Sequence, residues 1–193
     1  LALTHADSLL LSHGGVRPFF GTNPVCFAAP RVDAEPYCLD MATSKMPWNR
    51  LLIHKDNGDP LPNGVAADST GSETTNADAA ACLTPLGSPM AGYKGTGMAS
   101  MVEVLCAVFT GMAFGRNIPA MYKAPMDQPR GLGQFYLVMR TDGCVSMEQF
   151  RQAMQDMTRQ IRDEPSRPGE QVMMAGDKEI RAAERRLRDG IPL

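Results

Sequence analysis

The sequence lacks several features that would place it in a common class of proteins. No run of 18 apolar residues occurs among its 193 residues, so we predict no membrane-spanning helix. The 19 basic and 21 acidic residues leave a net charge of −2, which excludes the basic surface typical of nucleic-acid-binding proteins. The five cysteines are odd in number and show no CxxC spacing, so we predict neither a metal site nor a disulfide framework. Reduced thiols of this kind indicate a cytoplasmic protein.

What the sequence does contain favours one mixed domain. With 44% apolar residues, it can fill one sizeable core. Strands are predicted at residues 1–6, 25–29, 37–41 and 134–140, and helices at 76–83, 96–112, 146–164 and 177–190. This order predicts the α/β class, a mixed sheet with flanking helices. Residues 145–193 hold 18 of the 40 charged side chains, so we predict a core over 1–144 and a helical C-terminal region, 145–193, packed on it.

A glycine-rich run at residues 87–97 opens the predicted buried helix and contains Lys94. Backbone N–H groups at a helix start, together with a lysine, can bind a phosphate or a carboxylate. A nucleoside-triphosphate P-loop is disfavoured because Tyr93 separates Gly92 from Lys94 and no Ser or Thr directly follows the lysine. A general anion site and a plain glycine-rich helix entry both stay open. An ordinary Rossmann site is unsupported, because no G-x-G-x-x-G motif occurs.

His5 and Asp7 lie two residues apart and would share one face of the first predicted strand. They could form an acid–base pair at the end of that strand. An equally good interpretation is that His5 only hydrogen-bonds a backbone carbonyl, as buried histidines often do.

Several motifs, in order along the whole chain, resemble the malate/L-lactate dehydrogenase family of nicotinamide-dependent oxidoreductases, which includes the ureidoglycolate dehydrogenases. The main segments are residues 20–30 (FGTNPVCFAAP), 39–44 (LDMATS), 62–75 and 92–97 (GYKGTG). The resemblance implies a dehydrogenase fold that is not Rossmann. It also implies hydride transfer between NAD or NADP and a small 2-hydroxy or 2-oxo acid of the malate, lactate or ureidoglycolate type.

The resemblance also implies site residues. The cofactor contacts would be Ala6, Asp40, Met41, Ala42, Lys94, Gly176, Asp177 and Lys178. The family often has Ser at the position of Ala6, so only a backbone contact is expected there. Asp7 matches an active-site aspartate beside the substrate, and the family implies a homodimer.

One part of the family pattern is missing from this sequence. The family's catalytic histidine and its Ser-His-Gly…Arg segment, which grips the substrate carboxylate, precede the matched part. The chain begins inside an apolar run without an initiator Met, so we expect a piece of a longer enzyme. Residues 1–144 would then be a cofactor-binding core that is incomplete at its N-terminus, and the piece alone would be inactive. The alternative is a non-catalytic dinucleotide-binding or oligomerisation fragment.

Overall fold

The structure is a computed structural model that describes residues 1–32 and 34–191. Its strands are β1 (Ala2–Thr4), β2 (Leu10–Leu11), β3 (Pro18–Phe20), β4 (Val25–Ala29), β5 (Tyr37–Met41), β6 (Ala66–Ala67), β7 (Cys82–Leu83) and β8 (Gln134–Tyr136). Its α-helices are α1 (Trp48–Asn57), α2 (Gly92–Glu103), α3 (Met147–Arg162) and α4 (Asp177–Asp189). The mixed α/β class is thereby confirmed. No helix in the described ranges has the length and apolar character needed to cross a bilayer.

The chain forms two compact units. The first consists of Leu1, Cys26–Asp40 and the residues from Leu137 onward, and the second of Ala2–Val25 and Met41–Tyr136. Helices α3 and α4, which come from the predicted helical region 145–193, belong to the first unit. The boundary at residue 144 stays a prediction.

The second unit is built on a small mixed sheet of strand order β3-β2-β7-β6. Strands β2 and β7 are parallel, whereas β2–β3 and β6–β7 are antiparallel. Leu10, Leu51, Leu83 and Ala99 are fully buried and form its core with neighbouring apolar side chains. Elsewhere in this unit, β1 pairs antiparallel with β8, with Leu3 opposite Phe135.

In the first unit, β4 and β5 are hydrogen-bonded neighbours. On one face, the Phe27 and Tyr37 rings meet edge to face at a centroid distance of 6.0 Å. Helix α3 begins with the predicted capping box, in which the Ser146 hydroxyl accepts from the Gln149 N–H and the Gln149 side chain accepts from the Ser146 N–H. The capping box is thus confirmed, as are the bounds of β4 and β5.

Several predicted elements differ from the structure. The helix over 76–83 is wrong: the Asn76 side chain accepts from the Asp78 N–H and forms one turn, after which Cys82–Leu83 pairs as β7. The outer predicted strands shorten to β1 and β8. Helix α2 begins at Gly92 and continues after Glu103 as a π-helical turn over Val104–Val108. Helix α1 was not predicted; it begins after Pro47 without a side-chain cap, so no capping motif marks its start.

Candidate functional site

The segment that follows β1 is held in place by its own polar groups. His5 is fully buried, with Nε2 3.1 Å from the Ala113 carbonyl oxygen and Nδ1 3.2 Å from the Gly133 backbone nitrogen. Nε2 faces a carbonyl oxygen and donates to it, whereas Nδ1 lies 3.2 Å from both the nitrogen and the carbonyl oxygen of Gly133. Both ring nitrogens are therefore bound to backbone groups. These contacts agree with the interpretation of His5 as a histidine that hydrogen-bonds a backbone carbonyl, the alternative to an acid–base pair with Asp7.

Asp7 is the buried acidic group of this segment, with 3% of its surface exposed. Its Oδ2 accepts from the Met121 N–H at 2.9 Å, and its Oδ1 accepts from Arg130 at 3.2 Å. Only one guanidinium nitrogen makes this contact, and 29% of the Arg130 side chain is exposed. The carboxylate is thus held by one backbone donor and one cation. No sequence motif pointed to Arg130, which lies in a long loop 123 residues away.

The Ala6 backbone is positioned by a buried polar pair that the sequence analysis did not identify. Asn23 adopts a left-handed φ of 35°, and its side-chain oxygen accepts from the Ala6 N–H at 3.1 Å. Its amide donates to Glu103 Oε2 at 2.7 Å, and Glu103 Oε1 accepts from the Gly115 N–H at 2.6 Å. The Asn23 amide also donates to the Ala99 carbonyl oxygen at 2.9 Å, so four hydrogen bonds satisfy this pair in the core. The signal in the sequence was a lone acid, Glu103, inside a long apolar stretch.

Gly21 explains part of the same arrangement. A Cβ at this position would lie 2.5 Å from the Ala6 carbonyl oxygen, so any larger residue would displace the segment that carries Asp7. The motif at residues 20–24 therefore has a mechanical role here: its glycine permits a close approach, and its asparagine binds the Ala6 backbone.

Lys94 lies in the first turn of α2, exposed to solvent. Within the part of the chain that the structure describes, its side chain makes no ion pair. Gly95 packs against the backbone of Leu86, where a Cβ would collide with both the nitrogen and the oxygen. Packing thus accounts for this glycine, while the lysine remains available to an anion.

In the first unit, a groove of about 420 Å³ brings together several of the predicted cofactor contacts. Its lining includes Cys38, Asp40, Met173, Met174, Gly176 and Lys178. A hydrogen bond connects β5 to the segment before α4 on one side of the groove: the Cys38 N–H donates to the Ala175 carbonyl oxygen at 3.4 Å. Apolar walls thus stand beside a carboxylate and an ammonium group, a composition typical of small-ligand sites. Of the remaining predicted contacts, Met41 ends β5 and Ala42 follows it, both half-buried.

Cys26 is a neighbour of this groove. Burial raises the pKa of its thiol, and the nearby Cys38 thiol and Asp40 carboxylate raise it further. The thiol therefore stays protonated at neutral pH. Among the described residues, no group of three or more His, Cys, Asp or Glu side chains is arranged to hold a metal ion.

Asp177 begins α4 but points into the protein, with 4% of its surface exposed. Two nitrogens of Arg162 donate to its two oxygens at 3.2 and 2.5 Å, and the Met174 N–H donates to Oδ2 at 2.8 Å. Although burial would raise it, these hydrogen bonds and the guanidinium charge hold the pKa of Asp177 below its usual value. The side chain joins α3 to α4, and both of its oxygens have partners.

Comparison with known proteins accounts for this arrangement of residues. All 193 residues match the malate/L-lactate dehydrogenase family. The chain belongs to that family. Among its relatives, the ureidoglycolate dehydrogenase (NAD(+)) of Escherichia coli O157:H7 is 33% identical over 183 residues, which are 94% of this chain and 51% of that protein. The (2R)-3-sulfolactate dehydrogenase (NADP(+)) of Chromohalobacter salexigens is 36% identical over 129 residues, or 67% of this chain and 38% of that protein.

A solved malate dehydrogenase has the same fold. The crystal structure of malate dehydrogenase from Entamoeba histolytica superposes with a TM-score of 0.88 at 25% identity, covering 100% of this chain and 56% of that one. The non-Rossmann dehydrogenase fold expected from the motifs is therefore confirmed. The chain spans about half the length of the curated relatives it matches.

Proposed function

We propose that the full-length natural protein is an NAD(P)-dependent oxidoreductase. It transfers a hydride between the nicotinamide cofactor and a small 2-hydroxy acid or its 2-oxo counterpart, of the malate, lactate or ureidoglycolate type. The observation that carries this proposal is family membership over the entire chain. The names of the relatives include both NAD(+) and NADP(+), and both cofactors stay open here.

For the cofactor, we propose that two regions of the chain supply contacts. In the first unit, the Asp40 carboxylate and the backbone at Gly176 would hold ribose hydroxyls, while Lys178 would face a phosphate. The second unit, taken by itself, offers Lys94 and the N-terminus of α2 to a phosphate, with backbone contacts from Ala6, Met41 and Ala42. The residues fit a dinucleotide, since exposed charges stand beside the apolar walls of Met173 and Met174. When bound, the cofactor supplies the hydride.

For the substrate side, we propose Asp7 as the active-site aspartate. Its buried carboxylate has a fixed direction because Met121 and Arg130 hold it from two sides. His5 is occupied by backbone groups, so we assign proton exchange with the substrate hydroxyl to a histidine of the full-length protein other than His5. Among the predicted cofactor contacts, Asp177 would act through backbone only, because Arg162 and Met174 use both of its oxygens.

Further parts of the proposal concern organisation. We propose a homodimer in the cytoplasm, the location being supported by cysteines that are unpaired in the described residues. Residues 1–144 would form the cofactor-binding core, with residues 145–193 packed on it.

The experiment is a steady-state assay of the full-length natural protein. NADH and NADPH oxidation would be followed with pyruvate, oxaloacetate and related 2-oxo acids, and the reverse reaction with malate, lactate and ureidoglycolate. We expect turnover that depends on one cofactor and one acid. Dinucleotide binding without turnover on any of these acids would favour the non-catalytic alternative, and absence of both binding and turnover would remove the proposal.

A further inference from the structure

Arg130 is the charged partner of Asp7. Within the described ranges of the chain, it is the one cationic side chain that forms an ion pair with this carboxylate, at 3.2 Å. The other contact of Asp7, from the Met121 N–H, carries no net charge. The charge of a carboxylate that is 3% exposed is therefore balanced by a single guanidinium group.

This balance matters because of the charge of the proposed substrate. A 2-oxo acid brings a carboxylate toward Asp7, and two negative charges in a poorly solvated site repel each other strongly. A neutral ion pair removes that repulsion. Arg130 also touches Asp7 through one nitrogen only, so its other N–H groups are not used by this carboxylate.

We propose that Arg130 is a positioning residue that balances the charge of Asp7, so that the site accepts an anionic substrate. This inference rests on the proposed function, because it assumes that Asp7 borders the substrate. It assigns to a loop arginine a part in selecting charged over uncharged substrates.

The test is a double-mutant cycle on binding, which does not require turnover. Oxalate, an unreactive dicarboxylate, is titrated calorimetrically into the full-length natural protein and into Asp7→Asn, Arg130→Gln and the double variant. We expect Arg130→Gln to weaken oxalate binding about tenfold or more and Asp7→Asn to tighten it. The double variant, whose pair is again neutral, should return to within about threefold of the wild type.

A merely structural role predicts a different pattern, in which the double variant binds as weakly as Arg130→Gln or more weakly. That result would overturn the inference, as would a wild-type protein that does not bind oxalate. Arg130→Lys keeps the charge and should stay within about threefold of the wild type. Arg116→Gln is the matched control, because Arg116 stacks over the Phe19 ring at 5.5 Å and should leave oxalate binding unchanged.

A kinetic measurement separates this inference from the proposed function. Arg130→Gln should raise KM for a 2-oxo acid about tenfold, but KM for the corresponding uncharged amide less than about twofold. Turnover by the wild type with equal effects on both substrates would overturn only the role of Arg130. The expected oxalate cycle in a protein without turnover would overturn only the proposed function.

Discussion

Asp7 and Asp177 are two buried aspartates with the same kinds of partner, an arginine and a backbone N–H, yet they are held differently. Asp177 receives two nitrogens of Arg162, and its partners lie 3 and 15 residues away in sequence. Asp7 receives one nitrogen of Arg130, and its partners lie 114 and 123 residues away. Asp177 therefore makes a local contact between helices α3 and α4, whereas Asp7 connects the end of a strand to a loop that is distant in sequence.

The difference shows how a structural carboxylate can be told from one that is free to act. At Asp177, the two guanidinium nitrogens of Arg162 donate to both carboxylate oxygens, which is the strongest geometry of an arginine–carboxylate pair. Asp7 has one backbone N–H on one oxygen and one guanidinium nitrogen on the other, so the Arg130 fork is not fully used by this carboxylate and its remaining N–H groups can bind a ligand. We therefore expect substitutions at Asp177 to affect mainly stability, and substitutions at Asp7 to affect mainly catalysis.

The largest expected effect is that of Asp7→Asn in the full-length natural protein. The substitution keeps the shape and removes the charge, and we expect kcat/KM to fall by about 10²–10³-fold, the range for loss of one preorganised polar group in an active site. Steady-state kinetics with the preferred 2-oxo acid measure the effect, and thermal unfolding serves as the control. Nearly normal kcat/KM together with a large loss of stability would show that Asp7, like Asp177, has a structural role.

The reverse profile is expected for Asp177→Asn. Losing charged hydrogen bonds to Arg162 and Met174 should reduce the free energy of unfolding by about 1.5–3 kcal/mol at pH 7, measured by urea denaturation. Asp189→Asn on the same helix is the matched control, because its pair with Arg188 is largely exposed and should change stability by less than about 0.5 kcal/mol.

The pH dependence sharpens this prediction. Because the folded pKa of Asp177 is lowered, its stabilising contribution is complete above the unfolded pKa, about 4. It is lost as the pH falls through the lower folded pKa. The stability difference between wild type and Asp177→Asn should therefore shrink below about pH 4. A difference that persists unchanged at that acidity would mean that packing, and not the ion pair, is responsible.

Lys94, an exposed charge, extends the comparison. Its side chain has no ion pair to lose within the described residues, so Lys94→Ala should leave thermal unfolding unchanged and weaken NAD(P)H binding about tenfold, or ~1.5 kcal/mol. Fluorescence titration of the full-length natural protein measures this. Lys55→Ala is the control: it removes a lysine of α1 whose exposed ion pair with Asp78 is unrelated to the cofactor, and this variant should bind NAD(P)H normally. Equal affinity in both variants would remove Lys94 from the site.

The smallest effect is expected for Asp40→Asn in the groove. An exposed carboxylate that binds a ribose hydroxyl contributes about 1 kcal/mol, so the cofactor Kd should rise about threefold to tenfold without a change in Tm. Asp56→Asn, at another exposed acid on α1, should leave the Kd unchanged. A shift in Tm without a change in the cofactor Kd would show that Asp40 stabilises strand β5 and does not contact the cofactor.

The sequence predicted best what depends on local pattern. The capping box and the strands at 25–29 and 37–41 follow from residues close together, and all are confirmed. The helix over 76–83 failed because an Asn side chain can close a single turn as readily as it can cap a helix. The motifs led to Asp7, but Arg130 and Asn23 escaped because their partners are distant in sequence, and no periodicity reports such contacts.

The distant contacts of β1 also set an order of assembly. Residues 2–4 pair with 134–136, and His5 and Asp7 bind groups 108 to 128 residues later in the chain. Contacts of such high sequence separation form slowly, because a long loop must close before they contribute. During synthesis at about 5–20 residues per second, the start of this chain waits several seconds for its partners. We therefore expect the polar groups around Asp7 to be among the last to be buried, and water to hydrate them until then.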